Sequence, residues 1–215
     1  MRICVSLSAL ALAATAAPAF AQPSSQPDSF VRLGIAHIDL ADTGPVFVNG
    51  VRDPGADYQT DKDWIGNIEV GHFVHRNFAL RLAGTTPAKT YNLPAGSLAG
   101  TPNLFNDTSS NFTFTATWHP IRGQVVSPYV GGGIGLNHIW KTQERLASDV
   151  KISDAHGPVI QAGVEVDLSD RFGIYADAKK AFWSADASGF LGPLHITAEA
   201  ELDPVILQVG GVIRF

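Results

Sequence analysis

Seven histidines, His37, His72, His75, His119, His138, His156 and His195, are the residues of this chain most suited to proton transfer or metal binding. Hydrolysis at a histidine needs a nucleophile within hydrogen-bond reach of the ring. There is no Gly-x-Ser-x-Gly motif, and none of the seven has a serine two residues away on the same strand face. The chain is therefore read as a non-enzyme. His72 and His75 have a spacing that could share a metal, but they fall near a turn, which does not fix two rings on one face, and no cysteine accompanies them. They read as solvated turn residues. Gly131-Gly-Gly-Ile-Gly135 lacks the GxGxxG spacing of a phosphate loop, and no helical pattern follows it. Small residues where strands curve or pack closely explain the run, and no cofactor or metal is expected.

What remains is charge. Arg32, Arg81, Lys179 and Arg214 stand against Glu69, Glu165, Asp167 and Asp177, four of each sign, with Gln208 in the same positions of the pattern. All but Lys179, which is followed by Lys180, stand between apolar neighbours. A set of this kind lines a narrow interior, where every charge needs a partner or water, and if the charges pair they form a plug.

The elements that must position them are strands. Asn111-Phe-Thr-Phe-Thr-Ala-Thr-Trp-His119 alternates strictly, with Phe112, Phe114, Ala116 and Trp118 on one face and threonines with His119 on the other. Residues 157 to 168 repeat the pattern, with Ile160, Ala162, Val164, Val166 and Leu168 opposite Gln161, Gly163, Glu165 and Asp167. So do residues 205 to 215. The same reading places strands near 30 to 40, 64 to 73, 78 to 88, 128 to 140 and 172 to 184, each about the length of a tilted membrane strand. Connections 74 to 77, 121 to 127 and 169 to 171 are short, while 41 to 63, 89 to 110, 141 to 156 and 185 to 202 are long. The first strand is apolar on both faces, so its facing is ambiguous.

The first residues give the compartment. Met1-Arg2, an apolar stretch to Ala17 and Pro18-Ala19-Phe20-Ala21 form a charged start, an apolar middle and an Ala-x-Ala-like exit, which predicts a leader cleaved after Ala21. Residues 22–215 then form one domain, and Cys4, the one cysteine of the sequence, leaves with the leader. Loss of Arg2 leaves 14 Lys and Arg against 20 Asp and Glu, a formal charge of −6 with no basic stripe, which argues against nucleic acid. No other apolar run approaches a helical span, so a membrane location requires a closed barrel. The expectation is an all-β, eight-stranded antiparallel up-and-down transmembrane barrel in a Gram-negative outer membrane, with both termini on the short-turn side. A secreted lipocalin-like barrel also has eight such strands, but its interior is apolar and its surface polar.

The ending Gln208-Val-Gly-Gly-Val-Ile-Arg-Phe215 resembles the terminal signal of outer-membrane barrels, with Gln208, Gly210, Ile213 and Phe215 as the groups displayed to the barrel assembly machinery. Four further stretches resemble the outer membrane protein W family: Arg32-Leu-Gly-Ile35, Leu82-Ala-Gly-Thr-Thr-Pro87, Pro128-Tyr-Val-Gly-Gly-Gly133 and, most specifically, Leu202-Asp203-Pro204. One departure is Ser109-Ser110-Asn111-Phe112, where that family commonly carries Leu-Pro-Pro. The resemblance implies passage of small, often apolar molecules across the outer membrane. Val46, Phe47, Phe190 and Leu191 in the long loops are then candidates for an apolar entrance. The alternative is a structural or adhesive barrel, closed inside, that works through its loops. Expected partners are outer-membrane lipid and lipopolysaccharide, the assembly machinery and small apolar solutes.

Overall fold

The computed structural model describes residues 27–40, 46–53, 55–60, 64–96 and 102–215, and every regular element among them is a strand. The leader assigned to residues 1–21 lies outside the described residues. Eight strands build the barrel: β1 (Ser29–Asp39), β2 (Trp64–His75), β3 (Phe78–Thr85), β4 (Phe105–Trp118), β5 (Val126–Glu144), β6 (Ala155–Asp167), β7 (Phe172–Ala181) and β8 (Val205–Arg214). Each pairs antiparallel with its neighbours in the chain, and β1 pairs with β8 from Phe30↔Arg214 to Asp39↔Val205. That last pairing closes the sheet and removes its edges.

Alternation sorts the two faces as the sequence pattern dictates. Leu33, Ile68, Leu82, Phe114, Ile134, Ile160, Ile174 and Leu207 point out and are exposed, whereas Arg32, Glu69, Arg81, Thr115, Glu165, Asp177 and Gln208 point in and are buried. A greasy exterior around a polar interior is the arrangement for lipid, the reverse of a soluble barrel.

The long connections are not open loops. Val46–Val48, Val51–Asp53, Ala56–Thr60, Ala88–Gly96, Ser148–Ile152, Ser184–Leu191 and Leu194–Glu201 are additional strands that carry the sheet beyond the barrel wall. Val46–Val48 and Val51–Asp53 join through Asn49 (φ 51°) and Gly50 (φ 79°), a two-residue turn whose left-handed backbone explains the Asn-Gly pair. The expectation of four loops was wrong in this respect. Leu194–Glu201 does alternate, with Leu194, Ile196, Ala198 and Ala200 against His195, Thr197, Glu199 and Glu201, whereas the shortest of the others are only three to five residues and give a period of two little room to show.

The glycine run in β5 also has a structural reason. Gly135 faces inward and pairs with Gly157 of β6; a Cβ at Gly135 would press on the Trp183 indole, and one at Gly157 would run into the Phe182 carbonyl.

Candidate functional site: a charged septum beneath an apolar cavity

The inward side chains form three layers. At the short-turn end Phe30, Phe73, Ala79 and Val212 pack together, with His119 edge-on to Phe73 at 4.9 Å. Arg122, from the turn after β4, lays its guanidinium 3.6 Å from the centre of the Phe73 ring and donates to Pro27 O (3.1 Å) and Asp28 Oδ1 (3.0 Å). The start of the described chain is thus pinned across this mouth.

The middle layer is ionic. Arg32 pairs with Glu69 at 3.0 Å and with Glu165, Arg81 pairs with Glu69 at 3.0 Å and Glu165 at 3.5 Å, and Lys179 meets Glu69 at 3.2 Å and Asp177 at 3.5 Å. Arg214 joins Glu165 and, at 2.7 Å, Asp167. Gln208 accepts from Lys179 at 2.8 Å. All nine residues singled out in the sequence therefore lie in this layer, Asp167 towards the short-turn end.

Neutral groups complete it. The Tyr129 hydroxyl accepts from Arg32 (2.9 Å) and donates to Asp177 (2.7 Å), and its ring lies beneath the guanidiniums of Arg81 and Arg32 at 4.2 and 5.0 Å. Gln161 donates to Asp177 (2.7 Å) and accepts from Thr115 (2.8 Å), and Thr117 accepts from Arg81 Nε (2.8 Å). Every barrel strand thus contributes to the septum, whose charged side chains are buried, as a barrel of this strand number leaves room inside for little more than side chains. Tyr129 was missed in the sequence, though its place between the inward Ser127 and Gly131 was the signal.

Above the septum the interior turns apolar. Ala36, Ile65, Ala155, Val159, Ala181, Trp183, Ala185 and Ile206 form a buried cluster, with Ile38, Ala88 and Leu202 packed on it. Beside it a cavity of about 60 Å³ opens, bordered by Ile38, Leu40, Ile65, Ala88, Trp183 and Leu202 on one side and by the strand segments of Lys89, Thr90, Ser109, Asn111 and Asn137 on the other. Trp183 is buried here, and its indole N–H has no hydrogen-bond partner among the described residues.

The four loop candidates lie elsewhere. Phe47 borders a surface groove with Lys151, Ser188 and Thr197, Phe190 is exposed against the His195 ring at 5.0 Å, Leu191 is half-buried, and the Val46 side chain is outside the described residues. Phe47, Phe190 and Leu191 do not border the cavity. The apolar lining was concealed in the sequence because its residues occupy inward positions where polar groups were expected.

The wall beside the cavity is interrupted. Pairing between β3 and β4 stops at Gly84↔Phe112 and resumes between Ala88–Gly96 and β4 at Ala88↔Ser109. Pro87 has no N–H to offer, Thr86 N–H turns to Gly66 O on β2 (2.9 Å), and the Asn111 N–H is met by Thr85 Oγ1 (2.9 Å).

A closed eight-stranded barrel, apolar outside and crossed by an ion-paired septum, defines a small outer-membrane β-barrel protein. Residues 26–215 match the model of the OmpW family, and the chain belongs to that family, in the bacterial outer membrane. It is 25% identical to the dibenzothiophene metabolism operon protein PahQ of Pseudomonas aeruginosa over 83% of this chain and 84% of PahQ. It is 24% identical to outer membrane protein AlkL of Ectopseudomonas oleovorans, over 80% of this chain and 75% of AlkL. The crystal structure of OprG from Pseudomonas aeruginosa superposes with a TM-score of 0.83 at 17% identity, covering 91% of this chain and 99% of OprG.

Proposed function

We propose that this barrel passes small, mainly apolar molecules from the cell exterior into the outer membrane, by way of the cavity above the septum and out sideways through the wall. The observation that carries this is the stacking of a cavity with one apolar side, Ile38, Ile65, Trp183 and Leu202, on a charged layer, beside the gap at Thr85–Pro87. An apolar solute gains nothing by entering the ionic septum, where it would displace buried charge partners. The interrupted ladder offers the lower barrier, because few backbone hydrogen bonds have to be broken there.

The cavity of about 60 Å³ is far below the roughly 300 Å³ of a typical ligand pocket, so cargo must be small or must push Trp183 and Leu202 aside. A solute carrying one hydrogen-bond acceptor would also meet the unpartnered Trp183 N–H, whose burial costs about 1–3 kcal/mol while unsatisfied. Dibenzothiophene, in the name of the PahQ operon, is itself a flat apolar heterocycle.

Vesicles containing the protein should take up a small apolar fluorescent probe faster than empty vesicles. Ala88→Phe, which fills the cavity beside the gap, should return uptake to the empty-vesicle rate while the barrel stays folded. A steady ion current through single barrels would overturn the septum, and unchanged uptake by Ala88→Phe would overturn the route. The sealed septum itself favours a second reading, a closed barrel acting through its external sheet. That reading wins if no probe enters.

We also infer that the chain end is read by the assembly machinery. Ile213 and Phe215 face outward and are exposed, while Gln208 and Gly210 face inward, Gly210 against Gly34. Deleting Phe215 should lower barrel levels in cells several-fold yet change the stability of detergent-refolded protein by no more than about 1–2 kcal/mol. Normal surface levels of the truncated protein would remove this inference.

A further inference from the structure

Lys89 lies in the strand that continues β3, Thr108 in β4 and Lys141 in β5, and backbone register aligns them as Lys89↔Thr108↔Lys141. Paired residues project from the same face. Thr108 shares its parity with the outward Phe112, Phe114 and Trp118, so both lysines leave the outer surface of the barrel, where both are exposed. Two strand spacings put their Cα atoms about 10 Å apart, within reach of one anionic group for two lysine side chains.

Their height is set by the strand. Trp118 to Thr108 is ten residues of β4, about 25 Å along the membrane normal at the usual rise and tilt, which is the height of the apolar band of such barrels. Below the row, past Ser110 and His138, the outward face is apolar, with Phe112, Phe114, Ile134 and Leu136 exposed. At the row it changes: Trp140, the extra residue of a bulge, is exposed and donates through its indole to Ser110 Oγ at 2.9 Å. Tyr91 lies under the Lys89 ammonium at 5.4 Å.

Nearby acids are already engaged. Asp154 accepts the Ile139 N–H (2.9 Å) and pairs with His138 (2.7 Å), and Glu144 accepts the Val150 N–H (3.1 Å). No carboxylate pairs with Lys89 or Lys141 among the described residues.

We propose that Lys89 and Lys141, with the Thr108 hydroxyl between them and Tyr91 and Trp140 at the sides, form a binding site for a phosphate of the lipid A headgroup in the outer leaflet. Two ammonium groups supply the charge, the hydroxyl supplies a neutral donor, and the two amphipathic rings hold the sugar–acyl boundary at the membrane interface. The site needs only the outer-membrane location and is independent of whether solutes pass through the barrel.

The test uses the refolded protein in phosphatidylcholine vesicles doped with diphosphorylated lipid A, fully dephosphorylated lipid A or phosphatidylglycerol, with bound lipid counted by native mass spectrometry. The parent should retain diphosphorylated lipid A at least roughly tenfold more tightly than the dephosphorylated form. Lys89→Gln with Lys141→Gln should abolish that preference, and Lys151→Gln, which alters an exposed lysine off the row, should preserve it. The gel-mobility difference between boiled and unboiled samples verifies that each variant is folded. An unchanged preference in the double variant overturns the site, as does equal retention of phosphatidylglycerol, which would show generic attraction of anions.

Discussion

Glu165→Gln should cost the folded barrel about 3–5 kcal/mol in a urea titration of the refolded protein, the usual cost of removing one member of a buried charge pair. Glu165 is buried and receives Arg32, Arg81 and Arg214. Without its charge the three guanidiniums share Glu69 and Asp167 alone, in an interior with little water to compensate them. Adding Arg214→Met to Glu165→Gln should recover part of the loss, because it removes one surplus cation together with its desolvation cost. Wild-type stability of the single variant would mean that water already reaches the septum, and a conducting pore would then be the better model of the interior.

The second large effect is expected on the other face. Leu207→Arg and Phe114→Arg place a charge in hydrocarbon at positions that are half exposed, 49% in each case, and central in the outward band. Each should destabilise by about 2–4 kcal/mol near the bilayer midplane. Ser184→Arg, outward but in the external sheet, should change stability by less than about 0.5 kcal/mol. If all three behaved alike in the same titration, the outward face would not be buried in lipid.

Legibility of this fold followed the solvent. Where β4, β6 and β8 cross the bilayer, one face meets lipid and the other the septum, and Phe114/Thr115, Val164/Glu165 and Leu207/Gln208 record that in single steps of sequence. The charged layer was therefore readable residue by residue. β1 was ambiguous for a physical reason: its inward side is Phe30, Arg32, Ala36 and Ile38, passing from the aromatic layer through the septum to the apolar cavity. That ambiguity was itself the trace of the cavity. Trp183 and Ile65 were invisible as lining because an inward apolar residue on one strand has meaning only beside its counterparts on the others. The external strands were lost for another reason: Val46–Val48, Val51–Asp53 and Ser148–Ile152 are too short to establish a period, and the alternation of Leu194–Glu201 lies inside a connection read as a loop.

The distribution of the septum over the chain bears on the order in which the barrel is made. Arg32 sits in β1, Glu69 in β2, Glu165 in β6, Lys179 in β7 and both Gln208 and Arg214 in β8, so partners stand as far as 133 residues apart, the separation of Arg32 from Glu165. Until the sheet closes, Arg32 is held apart from Glu165 and Glu69 from Lys179, so a growing sheet presents incompletely matched charge to its concave side. Such a partial sheet has no deep energy minimum in which to rest. Closure of the sheet is therefore the step that completes the charge pairing across the interior, and half-zipped intermediates should stay scarce.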